Sequence, residues 1–230
     1  MLAAIAPVLI FIAFLLLLLV SLSVPITKTI YLFRLVARVV EGAFGVNATA
    51  TGSARFGVWG YCVSPVDVSA LGHSESTVAE CSKAHLGLTF DSTLASALHV
   101  SNYQNLISRA TTAVFVLHPI ACGLAFLALL ASLLMVLPRR EPSRGASILT
   151  LLLGILAAFV TTVIFLVDVI GIAIVRSKVH SATSGELTLS WGNAVWMVLG
   201  ATIALWLSLL GACAGICGHR RRRSAKGATY

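Results

Sequence analysis

Charge is scarce in this sequence. Asp, Glu, Lys and Arg make up 10% of the 230 residues, while hydrophobic residues make up 58%. A soluble domain usually carries about 25% charged residues. A chain this poor in charge cannot cover itself in water, so an ordinary soluble domain is excluded and lipid is the expected solvent. Acidic residues are the scarcer charged class, eight against sixteen Lys and Arg. Metal-site spacing is also missing: the five cysteines form no CxxC pair and no Cys/His pattern of a metal site. No acid, base, nucleophile or metal set converges on a reaction. Neither an enzyme nor a cofactor is expected.

The net charge of +8 is concentrated where it has a bland use. Arg220, Arg221, Arg222, Arg223 and Lys226 follow the last apolar run. Such a cluster just cytoplasmic of a membrane helix fixes topology and attracts anionic inner-leaflet lipid, so nucleic acid is not an expected partner.

Long apolar runs are what the chain has in abundance. Four of them, 1–24, 111–137, 147–175 and 192–217, are long enough to span about 30 Å of hydrocarbon at about 1.5 Å per residue. Ser21-Leu22-Ser23 resembles a small-x-small cleavage site, so the first run reads either as a signal peptide or as a retained span. It exceeds a usual signal h-region and no basic residue precedes it, which favours the span. The loop 138–146 carries Arg139, Arg140 and Arg144 against Glu141, and the tail 218–230 carries the Arg run. Both belong in the cytoplasm, which places loops 25–110 and 176–191 outside and both termini inside. The length leaves room for one compact unit.

The outer loop has its own signals. Asn47-Ala48-Thr49 is an N-glycosylation sequon. Cys62 and Cys81 are the only two cysteines on the oxidising side, so if a bridge forms there the pairing is forced. It would stabilise by roughly 3 kcal/mol in the chain-entropy model. Aromatic and β-branched residues make 55-RFGVWGYCV-63 and 85-HLGLTF-90 read as strands, and 187-LTLS-190 as a possible edge. Asp91 or Ser92 would cap a helix running through Leu94, Leu98 and Leu106 into the second span. Trp59 and Tyr61 would sit in the core of a small cap or at the membrane interface. The expected fold is an all-α membrane protein, a four-transmembrane-helix bundle with a small disulfide-stapled extracellular β-cap of two or three short strands.

Several pieces carry a resemblance. They are 20-VSLSVPITKTIYL-32, 56-FGVWGYC-62, 81-CSKAHLGL-88, 117-LHPIACGLAF-126, Asp168 and 192-GNAVW-196. In this order they resemble the fungal PalI family of ambient-pH signalling membrane proteins. That family lies within a wider tetraspan, claudin-like group that includes eisosome-associated proteins of fungal plasma-membrane subdomains. The motif positions are Phe56, Gly57, Trp59, Gly60, Tyr61, Cys62, His118, Pro119, Asp168, Asn193 and Trp196. The resemblance implies a non-enzymatic protein of the plasma membrane that assists a multi-spanning pH sensor. The alternatives are an organiser of membrane subdomains and cell-wall integrity and, in another class, an oligomeric claudin-like channel. The spans hold almost no ionisable residue beyond Asp168 and His118, which makes a poor ion pathway. The partner is then a membrane sensor or further copies of the chain.

Within the spans, an ionisable residue marks a functional or structural point. Asp168 lies seven residues before Val175, and His118 seven after Thr111, so the two could meet in the outer leaflet. Such a contact would act as a pH-dependent link or as a static polar clamp; alternatively Asp168 pairs with Arg176. Pro119 should kink the second span and free the Phe115 carbonyl. Gly200, Ala204, Ser208 and Ala212 form a small face on the last span, with Gly211-xxx-Gly215 beside it, suited to packing within the bundle or to a second copy. Cys213 and Cys217, beside the Arg cluster, are palmitoylation candidates or plain buried residues, and Cys122 lies within an apolar run. His73, His85 and His99 would face the outer medium, where passive surface histidines are the rule.

Overall fold

A computed structural model describes residues 2–43, 46–65, 67–70, 73–76, 80–83, 104–136, 144–182 and 187–227. Four helices account for most of it: α1 (Leu2–Ser21), α2 (Gln104–Val136), α3 (Arg144–Ala182) and α4 (Asn193–Gly227). Three stretches, Phe115–Leu134, Ile148–Ser177 and Asn193–Ala212, are long and apolar enough to cross a bilayer. The twenty residues of α1 add a fourth helix about 30 Å long, the thickness of the hydrocarbon core. α4 carries the Arg run on the same helix as its apolar stretch.

Burial along these helices is inverted relative to a water-soluble protein. Phe11, Leu152, Phe159, Ile203, Trp206 and Leu210 are exposed, whereas Ala13, Ala125, Ala128, Ala157, Ala158 and Ala201 are fully buried. Lipid supplies no hydrophobic drive between helices, so close approach of small residues does the packing and large apolar side chains are left to face the tails. Polar groups follow the same logic. Thr161 donates to the carbonyls of Ala157 and Ala158, Thr202 to Val198 and Ser208 to Leu205, so these three buried hydroxyls are satisfied by their own helices. The chain is therefore a membrane protein.

Seven strands form one antiparallel sheet among the described residues. They are β1 (Phe33–Ala43), β2 (Val46–Phe56), β3 (Tyr61–Val63), β4 (Asp67–Ala70), β5 (His73–Ser76), β6 (Glu80–Cys81) and β7 (Leu187–Trp191). The long β1–β2 hairpin runs in register from Phe33↔Phe56 to Ala43↔Val46. β7 closes one edge, pairing with β1 from Phe33↔Trp191 to Ala37↔Leu187. On the other side β2 pairs with both β3 and β4. Period-two alternation gives the sheet two faces. One carries Phe33, Leu35, Phe56 and Leu189, with Phe33 stacked on Phe56 at 4.7 Å; the other carries Arg34, Arg55, Thr51 and Ser53.

The fold class is as expected, and two local expectations need correction. Residues 55–63 do not form a single strand: β2 ends at Phe56, β3 begins at Tyr61, and a turn lies between them. Nor is the cap made only of short strands, since β1 and β2 have eleven residues each. The edge pairing of 187–190 is present in β7. The strand expected at 85–90 and the helix cap at Asp91 or Ser92 lie outside the described residues. α2 continues through Pro119.

The chain divides into two compact units. The first comprises Met1–Leu18, Pro119–Phe165 and Met197–Tyr230; the second comprises Leu19–His118 and Leu166–Trp196. In the first, Ile10, Ala128 and Leu129 form a buried cluster flanked by Phe14 and Leu153, drawing together α1, α2 and α3. Gly154 sits against Leu209 and Gly200 against Leu16, which adds α4. In the second, the sheet stands with the chain leaving α1 and the adjoining ends of α2, α3 and α4.

Candidate functional site

The second unit gathers the motif residues other than Pro119. α1 ends at Ser21, and the chain turns through Ser23, Val24 and Pro25, with Ser23 N donating to the Val20 carbonyl at 3.1 Å. Onto this exit folds the turn between β2 and β3. Gly57 N donates to Gly60 O at 2.9 Å and closes the turn. Val58 N donates to Ser23 Oγ at 2.9 Å, and both residues are fully buried. Trp59 N donates to Val24 O, and its indole Nε1 donates to the Ser21 carbonyl.

The glycines of this turn are required by contact and by backbone shape. A Cβ on Gly57 would stand 2.6 Å from Val24 O and 2.7 Å from Val24 N, so the turn can approach only as glycine. Gly60 has φ +148°, a conformation L side chains rarely adopt, and its missing side chain leaves room for the Ser82 hydroxyl. That hydroxyl accepts from Tyr61 N at 3.1 Å, while Ser82 N donates to Tyr61 O at 2.9 Å. Cys62 and Cys81 stand directly opposite on β3 and β6 and are joined as a disulfide. The Phe56 and Tyr61 rings lie 5.7 Å apart, and Trp59 and Tyr61 are half-buried.

A third piece of chain joins from the start of α4. Gly192 lies so close to the Tyr31 and Leu32 carbonyls that no side chain fits there, and its N–H donates to Leu32 O at 2.8 Å. Asn193 then uses both ends of its amide: Oδ1 accepts from Tyr31 N at 3.1 Å, and Nδ2 donates to Thr29 O at 2.9 Å. Three segments far apart in sequence, 21–32, 56–62 and 192–194, are thus tied by backbone-directed bonds into one clamp.

The same unit holds a buried polar pair. His118 Nε2 of α2 lies 3.2 Å from Asp168 Oδ2 of α3, with side chains 1% and 4% exposed. This is the meeting expected from the sequence, and Arg176 stands exposed instead. Trp196, on the first turn of α4, is 64% exposed, as an aromatic at a membrane–water boundary would be.

Other expected positions are not part of this arrangement. Gly200, Ala204 and Ser208 face inward in the helical unit, Gly200 against Leu16, so this small face packs within the chain. Cys122 is a buried thiol. Asn47 lies on β2 opposite Gly42, His73 opens β5, and Cys213 and Cys217 lie on α4; their side chains, with His85 and His99, are outside the described residues. No group of three or more potential metal ligands occurs among the described residues. Ser23, Ser82 and Thr29 are clamp residues that the sequence does not announce. Ser23 stands in plain sight as half of an apparent cleavage motif, and a lone hydroxyl at the end of an apolar run is its only signal.

A family model described as SUR7/PalI family matches residues 2–208. The chain belongs to the SUR7/PalI family. The match takes in all three clamp segments and the His118–Asp168 pair, so the SUR7/PalI resemblance of the loop and that of the helices refer to one module. No curated protein matches the sequence.

Proposed function

We propose that this protein is a non-enzymatic accessory or scaffold of a fungal plasma membrane that supports or localises a multi-spanning sensor in ambient-pH signalling. SUR7/PalI membership supports an accessory or scaffold role in general terms. The observation that carries the reading is the use made of the motif side chains. Ser23, Trp59, Ser82 and Asn193 all bind backbone of the chain itself. A module whose polar side chains are engaged in this way offers a fixed surface rather than a reaction.

The link to pH rests on His118 and Asp168. Among the described residues theirs is the only contact between a basic and an acidic side chain, and it joins two helices in a buried place. Any change in its protonation alters what holds α2 to α3. In this reading both termini are cytoplasmic, Asn47 carries a glycan outside, Cys213 and Cys217 accept palmitate, and Arg220 to Arg223 meet anionic inner-leaflet lipid.

Crosslinked purification from fungal plasma membrane tests the proposal. Recovery of a multi-spanning protein, with its yield changed by Asp168→Asn, supports it. Recovery of further copies of this chain alone would favour a membrane organiser. Ion flux from the purified protein in liposomes would favour a channel. Either result overturns the accessory reading.

A further inference from the structure

The polar face of the sheet carries a cleft that the clamp leaves alone. β1 and β2 place Arg34 directly opposite Arg55, on one face. Like charges in that position repel, so each guanidinium needs an electron-rich partner. Arg55 finds one locally, lying 5.6 Å from the centre of the Tyr31 ring and donating to Lys28 O at 3.5 Å. Arg34 turns the other way. Its Nη2 donates to Ser53 Oγ at 3.1 Å, and that hydroxyl donates on to Ser64 Oγ at 2.9 Å.

Among the described residues Arg34 makes a single side-chain hydrogen bond. Its Nε, like that of Arg55, is buried without an acceptor, and among the described residues no carboxylate pairs with it. Beside it opens a cleft of about 370 Å³ lined by Arg34, Thr51, Ser53 and Ser64, with Val36 and Pro65 as its apolar lining. That volume is in the range of small-ligand sites. A guanidinium with spare donors recognises oxyanions, and hydroxyls around it recognise hydroxyls or further oxygens.

We propose that this cleft binds a small ligand bearing an oxyanion, a carboxylate or a phosphate, held by Arg34, with its remaining polar groups on Thr51, Ser53 and Ser64. The site is independent of the accessory role above, since none of its residues belongs to the clamp or to the buried pair.

The test uses the full chain in nonionic, sugar-free micelles at low salt, titrated calorimetrically with glucuronate, inorganic phosphate and glucose. Saturable binding of glucuronate or of phosphate, absent for glucose, is expected, and which anion binds identifies the ligand's charged group. Arg34→Gln should weaken it about tenfold or more, with Arg34→Lys retaining part and Arg55→Gln changing it little. If Arg34→Gln does not fold, Thr51→Val serves in its place, with a loss of about threefold or more. The proposal is overturned if neither anion saturates, if glucose binds as well as the anions, or if the folded variant at Arg34 or Thr51 binds unchanged.

Discussion

His118 and Asp168 meet 3.2 Å apart across two helices, each almost wholly removed from solvent. Removing one member of such a pair leaves the other without its counter-group, whereas an apolar replacement of both can be neutral. Asp168→Ala should therefore destabilise by about 3 kcal/mol, seen as a lower unfolding midpoint in micelles. The double variant His118→Leu with Asp168→Leu should recover most of that loss. A loss in the double variant equal to the sum of the two single-variant losses would mean that the pair contributes no coupling.

The pair is legible in the sequence for a reason that outlives the arithmetic. The apolar runs put each residue seven positions inside its span, but each in fact lies fourteen positions from its helix end, Gln104 for His118 and Ala182 for Asp168. Both helices run past their apolar stretches, and the two errors are equal, so the residues stay level. The β1–β2 hairpin is not legible. In 46-VNATATGSARF-56, Ala, Thr, Ser and Gly dominate, and β-structure there comes from pairing with β1 rather than from an alternating pattern of its own. Likewise the aromatic run 55–63 has strand composition, and only the close approach of Gly57 to Val24 reveals why it turns. The clamp depends on backbone groups meeting across more than a hundred residues, as with Tyr31 O and Ala194 N, and residue spacing carries no trace of that.

The glycines divide sharply by surroundings. In Gly57→Ala and Gly192→Ala the new methyl meets backbone that cannot move aside, Val24 in one case and Tyr31 and Leu32 in the other. Each should destabilise by about 2 kcal/mol or more. Gly123 and Gly171 sit in helices with nothing within 4 Å of where a methyl would stand. Gly123→Ala and Gly171→Ala should be neutral or stabilising by about 0.5–1 kcal/mol. Thermal unfolding of the four variants in one detergent checks the ordering.

Ser23 and Asn193 separate a buried clamp bond from a wet one. Ser23→Ala leaves the fully buried Val58 N–H without its acceptor, at about 1–3 kcal/mol. Asn193 is exposed, so water can replace its partners, and Asn193→Ala should cost about 1 kcal/mol. Asn193→Asp keeps the acceptor for Tyr31 N and loses the donor to Thr29 O, so it should fall between the wild type and Asn193→Ala. Chemical denaturation of purified protein gives the ranking, and a larger loss at Asn193 than at Ser23 would contradict it.

The Cys62–Cys81 bond closes a separation of 19 residues between β3 and β6. In the chain-entropy model a loop of this size is worth about 3 kcal/mol. Both strands are short, Tyr61–Val63 and Glu80–Cys81, so few backbone bonds remain to hold β6 once the bridge is gone. The double variant Cys62→Ser with Cys81→Ser should thus lose amide-exchange protection first around Tyr61 and Ser82, whose mutual bonds depend on that pairing. The β1–β7 pairing does not involve the bridge and should keep its protection. Uniform loss across both regions would show that the sheet opens as a single cooperative unit, and protection unchanged everywhere would show that Ser82 alone suffices to hold the turn.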